Sequence, residues 1–326
     1  MSDLDGAVNL TAAASGDGRA FERVIAPHRR ELLVHAYRLL GSSSDAEDAL
    51  QEALLTAWRA LDTLREPGAL RPWLYRLTTR VAMRFAERRG PRMLSWDAGE
   101  AHDPAAPLGP PSGGPWIEPF RDPDPARAVE RREHIELAWM SALQLLPPLQ
   151  RATVVLKDVL GYSSAETAAA LETTTAAVNS ALQRARVTLA ASSAGNESAP
   201  TRATSATAAD RDAVRRFSDA FAASDIVTIV ELLADDVRFT MPPLPAWFDG
   251  RQDVRAFLAE RVLATPWRLE PLGDVNGHPA LLGHQWQDDA YRPAAVMVIH
   301  ADDGQITWIA TFIEPSLVAE WSGPAR

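Results

Sequence analysis

The sequence predicts a multidomain protein: two all-α helical domains followed by an α+β domain with a curved antiparallel sheet. Three observations carry that expectation. Apolar residues recur at helical spacing from Phe21 to Leu182, Pro-, Gly- and Ser-rich stretches interrupt them at 96–127 and 191–208, and from Val237 onward the apolar period falls to two. Domains are therefore expected at 18–95, 128–190 and 209–326.

In the first domain, Phe21, Val24, Ile25, Leu32, Leu33, His35, Ala36, Leu39 and Leu40 form one helical stripe that stops at Gly41, a helix terminator. A second helix starts from Ser43 or Ser44 and places Asp45, Glu47, Asp48 and Glu52 in its first turns, where the helix dipole favours negative charge. A third, from Leu70 to Arg89, sets Trp73, Leu74, Leu77, Val81 and Phe85 on one side. Arg76, Arg80, Arg84 and Arg88 lie four apart on it and stack into a basic stripe.

Residues 97–127 hold too much Pro and Gly for helix or sheet, and Trp116, Ile117 and Phe120 give this linker a small apolar anchor that packs on a neighbouring domain. Residues 147–186 then read as a helix-turn-helix. Ser163 or Ser164 caps its first helix, Glu166 lies in the first turn, and Ala165, Ala168, Ala169 and Leu171 make the packed side. After a turn at Glu172 and Thr173, the second helix buries Val178, Ala181 and Leu182. That leaves Thr175, Asn179, Gln183, Arg184 and Arg186 to donate to phosphates or base edges. Residues 191–208 carry little apolar bulk and read as a flexible linker.

From 210 to 234 two amphipathic helices are expected, with Val214, Phe217, Ala220 and Phe221 on the first and Ile226, Ile229, Val230 and Leu233 on the second. A short helix covers 254–263 after Gly250, and strands cover 237–241, 294–300 and 305–313.

Composition bounds the partners. Lys+Arg 33 against Asp+Glu 43 gives a formal charge of −10, which argues against a protein that coats nucleic acid. The charge is uneven: arginine outnumbers acids in 18–95, whereas 209–326 holds 18 acids against 10 arginines, so DNA contact falls on the first half. Lys157 is the single lysine. The lack of cysteine excludes disulfides, thiolate catalysis and cysteine-ligated zinc, and the histidines lack the close pairing of a metal site. No metal and no cofactor are expected. Without an apolar run of about 18 residues or a cationic-then-apolar leader, the expected location is cytoplasmic and no membrane contact is expected.

Taken together, these motifs resemble an extracytoplasmic-function (ECF) sigma factor of bacterial RNA polymerase. The stretch from Gly41 to Glu52 is similar to the segment that grips the coiled coil of the largest polymerase subunit. Trp73-Leu-Tyr-Arg-Leu-Thr-Thr is similar to the part of region 2 that melts and reads the promoter −10 element, and 147–186 to region 4, which docks in the −35 element. The resemblance implies polymerase contacts at Asp45, Glu47, Asp48 and Glu52. It implies promoter contacts at Trp73, Tyr75, Arg76 and Arg80 and again at Thr175, Asn179, Arg184 and Arg186. Arg80 and Arg84 depart from the pattern, standing where the family commonly carries Asn and Asp, and Glu87 falls where a basic residue is usual.

The segment after 209 resembles the SnoaL-like, nuclear-transport-factor-like domain, and the stretch from Met241 to Arg251 matches the wording of the sigma subgroup that carries it. Such a cone encloses a pocket. Trp247, Phe248, Trp267, His284, Trp286, Tyr291, His300 and Trp308 are expected to line it, including four of the 10 tryptophans, and to offer a small-molecule ligand site. Two functions follow. In the first, the chain directs RNA polymerase core to promoter DNA and the C-terminal domain regulates it, as the resemblance implies for that subgroup. In the second, a sigma-derived enzyme uses His284 and His300 with Asp249, Asp236 or Glu314 as an acid–base pair, for cyclisation, hydration or isomerisation of a polyketide-like substrate.

Overall fold

The computed structural model describes residues 3–64, 66–95, 99–111, 115–121, 137–195 and 206–323. The remaining parts of the two expected linkers lie outside the described residues. The chain groups into two compact units, Met1–Arg92 with Trp139–Glu197, and Met93–Ala138 with Ser198–Arg326. Both sigma-like regions therefore share one unit, and the first linker belongs to the other.

The first unit is helical: α1 (Asp3–Ala14), α2 (Gly18–Leu40), α3 (Ser43–Arg59), α4 (Leu70–Arg89), α5 (Leu137–Gln144), α6 (Pro148–Val154), α7 (Ser164–Ala170) and α8 (Thr175–Gly195). Asp17 caps α2 by accepting from the amides of Arg19 and Ala20, and Gly41 ends it in the left-handed region at φ 67°. Space reinforces the choice of glycine there, because a Cβ at Gly41 would meet Gln144 Nε2 at 3.0 Å. Ser42, one residue ahead of the expected caps, starts α3 by accepting from the Asp45 amide. Phe21, Ile25, Leu32, Leu50, Leu54, Trp73, Leu74 and Tyr75 form the core where α2, α3 and α4 meet. Each such apolar side chain contributes about 1.5–3 kcal/mol on burial.

Ser163 caps α7 in a reciprocal box with Glu166, as the pattern suggested. The packed side of that helix differs from expectation: Thr167, Ala168 and Ala170 are buried while Ala165 and Ala169 are exposed. A run of alanines carries no apolar asymmetry, so the sequence leaves the rotational phase open. Glu172 turns the chain at φ 51°, and α8 buries Val178, Ala181 and Leu182 as its spacing predicts.

The second unit sets α9 (Ala208–Ala222), α10 (Ile226–Leu232) and α11 (Arg251–Phe257) on a six-stranded sheet, with α12 (Pro315–Trp321) after the last strand. The strands are β1 (Leu233–Thr240), β2 (Trp247–Asp249), β3 (Trp267–Val275), β4 (His278–Gln287), β5 (Ala290–Asp302) and β6 (Gln305–Phe312), in the order β2-β1-β6-β5-β4-β3. The expected all-antiparallel sheet is corrected here, because β1 and β6 pair in parallel. Hairpins reverse the chain at each step from β3 to β6, and the last reversal brings β6 beside β1 running the same way. The expected strands correspond to β1, β5 and β6; β2 and β4 add to them, and so does β3. Its Pro271 sits on an edge strand at a register irregularity, which is where a sheet tolerates proline.

One face of the sheet packs on the helices through Phe217, Phe221, Phe239, Phe248, Phe257, Trp267, Met297, Ile299 and Ile309. Strand alternation puts the neighbours of these residues, Thr240, Trp247, Val298, His300 and Trp308, on the opposite face.

Candidate functional site

The acidic residues of α3 separate into three environments. Glu47 and Asp48 are exposed, and Glu52 is half-buried and receives a hydrogen bond from Arg84 at 2.7 Å. Asp45 is corrected from a polymerase contact to an internal clamp: it is 2 % exposed and pairs with Arg89 at 3.1 Å and Arg92 at 2.5 Å. A carboxylate held by two guanidinium groups inside the fold ties the start of α3 to the end of α4 and is not presented to a partner.

On α4, Trp73 and Tyr75 are buried, and Arg76 and Arg80 are half-buried. Tyr75 sits in a network that sequence reasoning missed. Its hydroxyl donates to Glu31 at 3.2 Å, Arg71 donates to both Glu31 oxygens at 2.8–3.1 Å, and the Arg71 guanidinium lies 4.9 Å from the Tyr75 ring centroid. Burial alone would raise the Glu31 pKa, but hydrogen bonds from His28 and Arg71 outweigh it and hold the carboxyl at about 2. Burial and the Glu31 charge together push the Tyr75 phenol up. Glu31 and Arg71 lie 40 positions apart, so no local pattern links them.

The recognition helix α8 exposes Thr175, Asn179, Gln183, Arg184 and Arg186. Asn179 Oδ1 accepts from Ser164 at 2.9 Å, Arg184 donates to Ser180 at 2.6 Å, and Arg186 pairs with Asp158 at 2.8 Å. Within the same unit this hairpin meets α4. Arg80 pairs with Glu172 at 2.5 Å, and the Tyr75 and Tyr162 rings lie 6.3 Å apart.

In the second unit the candidate pocket residues do not converge. Phe248 and Trp267 are packed in the helix-covered core, Trp247, His300 and Trp308 are buried on the opposite face, and Trp286, 40 % exposed, stands edge-on to Tyr291 near the β4–β5 turn. His284 is half-buried on β4, paired with Pro293 across β5. The acid–base pair is not formed either: Asp236, Asp249 and Glu314 are exposed, whereas His300 is 1 % exposed and both its ring nitrogens lack a hydrogen-bond partner. His300 instead stacks between His278, with centroids 3.6 Å apart, and Trp308, at 4.3 Å. Burial drives both imidazoles toward the neutral form, His278 to about 4 and His300 well below its ordinary value. Among the described residues no group of three His, Asp or Glu is placed to hold a metal ion, and no helix is long and apolar enough to cross a membrane.

Within this second unit, the described residues of 93–121 are held at several positions by the C-terminal domain. Ser95 donates to the Leu244 carbonyl at 3.3 Å, the Trp247 indole donates to Gly99 O at 2.9 Å, and the His102 amide donates to Trp247 O at 2.7 Å. Arg261 donates to the carbonyls of Ala105 and Ala106 at 3.0 and 2.9 Å, and Leu108 packs on the aromatic core. At the far end the Phe120 amide donates to Asn276 Oδ1 at 2.7 Å, and the Asn276 amide donates back to Phe120 O at 3.0 Å. Trp116, Ile117 and Phe120 are buried.

Residues 24–92 match Sigma-70 region 2, 136–189 match Sigma-70 region 4, and 214–309 match the SnoaL-like domain, which defines a sigma-70-type factor with an added α+β domain. The chain is 35% identical over 309 residues to the ECF RNA polymerase sigma factor SigG of Mycobacterium tuberculosis, covering 91% of this chain and 82% of SigG. It is 33% identical over 183 residues to SigM of the same organism, covering 56% of this chain and 81% of SigM. The crystal structure of the M. tuberculosis ECF sigma factor SigJ shares the fold, with a TM-score of 0.56 at 24% identity over 91% of this chain and 97% of that one. This chain belongs to the ECF RNA polymerase sigma factors.

Proposed function

We propose that this sigma factor engages polymerase through the exposed acids of α3 and promoter DNA through α4 and α8, and that its SnoaL-like domain regulates this activity by holding the linker between regions 2 and 4. The observation that carries the reading is the capture of 93–121. A Pro-rich segment is held near both ends and in the middle by hydrogen bonds with the C-terminal domain. A linker in that state is unavailable to polymerase, and its release makes it available.

Glu47 and Asp48 supply the charge for core binding, with Glu52 next to them after it leaves Arg84. Arg76 and Arg80 on α4, beside Trp73 and Tyr75, serve the upstream melted element, and Thr175, Asn179, Arg184 and Arg186 serve the distal one. Guanidinium groups on phosphates position the protein, and amide and hydroxyl groups on base edges give selectivity. The SnoaL-like domain acts by binding and carries no catalytic step, which accords with the separation of His284 and His300 from the acids.

Run-off transcription with core polymerase tests this. Full-length protein and the variant Arg261→Ala/Asn276→Ala, whose linker has lost its middle and far hydrogen bonds, are expected to differ in initiation at equal core affinity. Equal transcription by the two would refute regulation through the linker. Failure of either to bind core would refute the sigma-factor mechanism.

A further inference from the structure

Arg151 is buried, 3 % exposed, in the last turn of α6, and its described hydrogen bonds all go to neutral oxygens. It donates to Leu39 O in the last turn of α2, to Gln144 Oε1 and O, and to Leu146 O. Gln144 in turn packs against Gly41. One guanidinium thus fastens the region 4 helices to the end of α2 in region 2. At the other end of the same contact, Glu172 in its left-handed turn places a carboxylate on Arg80 of α4.

We propose that Glu172 is an in-chain competitor for promoter DNA at Arg80, and that Arg151 is the latch that keeps it there. A carboxylate on a guanidinium occupies the same forked donors that a phosphate would take. The Glu172 side chain is 69 % exposed, and an exposed pair contributes little on its own. Its effect therefore depends on being held in place, which is what the buried Arg151 contacts do. In this closed unit Tyr75, 2 % exposed, is covered as well, and the two DNA-reading elements touch each other. DNA cannot lie between them, so engagement requires region 4 to swing away. The inference rests on the reading of Arg80 as a promoter contact.

The chain has no cysteine, so Asp62→Cys and Ala190→Cys, both at exposed positions, give two unique dye sites in the full-length protein. Energy transfer between them in the parent gives the reference distance. Arg151→Met is expected to lengthen it, and the exposed-site change Glu172→Arg to lengthen it partly, with the distance restored in the swap Arg80→Glu/Glu172→Arg. An unchanged distance in Glu172→Arg and in a folded Arg151→Met, or a swap that restores nothing, overturns the latch. Promoter affinity is then measured with core polymerase and a forked duplex. Arg80→Ala is expected to cost about five-fold or more in the Arg151→Met background and clearly less in the parent, where Glu172 already occupies Arg80. Equal losses overturn the competition. No loss in either background overturns the assignment of Arg80 to DNA, while the distance measurements still decide the latch.

Discussion

Arg92 Nη2 donates to Asp45 Oδ2 at 2.5 Å, and both side chains are largely withdrawn from solvent, at 11 % and 3 % exposed. This pair closes the bottom of region 2 by joining the first turn of α3 to the chain just beyond α4. Removing one member of a buried pair leaves the other charge uncompensated. Asp45→Ala is expected to destabilise the protein by about 3 kcal/mol in denaturant unfolding. Asp48→Ala, at an exposed position, is expected to leave stability within about 0.5 kcal/mol and to weaken core binding. If Asp45→Ala unfolds like the parent, the clamp contributes nothing.

The linker contacts make a local prediction. Arg261→Ala removes two hydrogen bonds to carbonyls of the linker, and Asn276→Ala leaves the Phe120 amide without its acceptor. Each is expected to cost about 1–2 kcal/mol of local protection. Hydrogen exchange should rise at 99–108 for the first change and at 115–121 for the second, with α9 unaffected. Equal exchange in both variants and parent would show that the linker is held by apolar contact alone.

Acid should unfold the protein in a defined window. Burial lowers His35 to about 3, His278 to about 4 and His300 well below its ordinary value. A depressed histidine binds its proton in the unfolded chain first, so stability is full above pH ~6.5 and falls as pH drops toward the folded values. Glu31, held at about 2, adds a further loss between pH ~4.5 and 2. For His278 alone the effect reaches about 3 kcal/mol near its folded pKa. His300→Leu is expected to be neutral or stabilising at pH 7, because it removes a buried imidazole that has no hydrogen-bond partner, and to flatten the acid slope. Melting temperatures at pH 7 and 5 would decide; an unchanged slope would sink the assignment.

Salt dependence probes the recognition helix. Arg184 is exposed on α8 and donates to Ser180 of its own helix. If Arg184 contacts a phosphate, Arg184→Ala should weaken promoter binding across sequences and reduce the salt slope by about 1. Asn179→Ala should instead relax sequence preference with the slope unchanged.

Much of this architecture was legible because local chemistry declares itself. Gly41 ends α2, Ser163 with Glu166 starts α7, and the apolar spacing of α8 names its buried side. What escaped was set by tertiary partners. Asp45 reads as one more acid in a helix's first turn, and only the return of Arg89 and Arg92 buries it. The aromatics of the last domain alternate along strands buried on both faces, so nothing in their order tells Trp308 from Ile309 as core-facing. Asn276-Gly277, both at positive φ, makes the two-residue turn between β3 and β4, while Pro271 and Gly273 interrupt the strand pattern just before it.

The bound linker also has a temporal meaning. Its partners are encoded after regions 2 and 4, so a ribosome releases both regions before the domain that holds 93–121 exists. A nascent chain therefore passes through an interval in which Trp116, Ile117 and Phe120 lack that domain, and the proposed restraint on initiation arrives last.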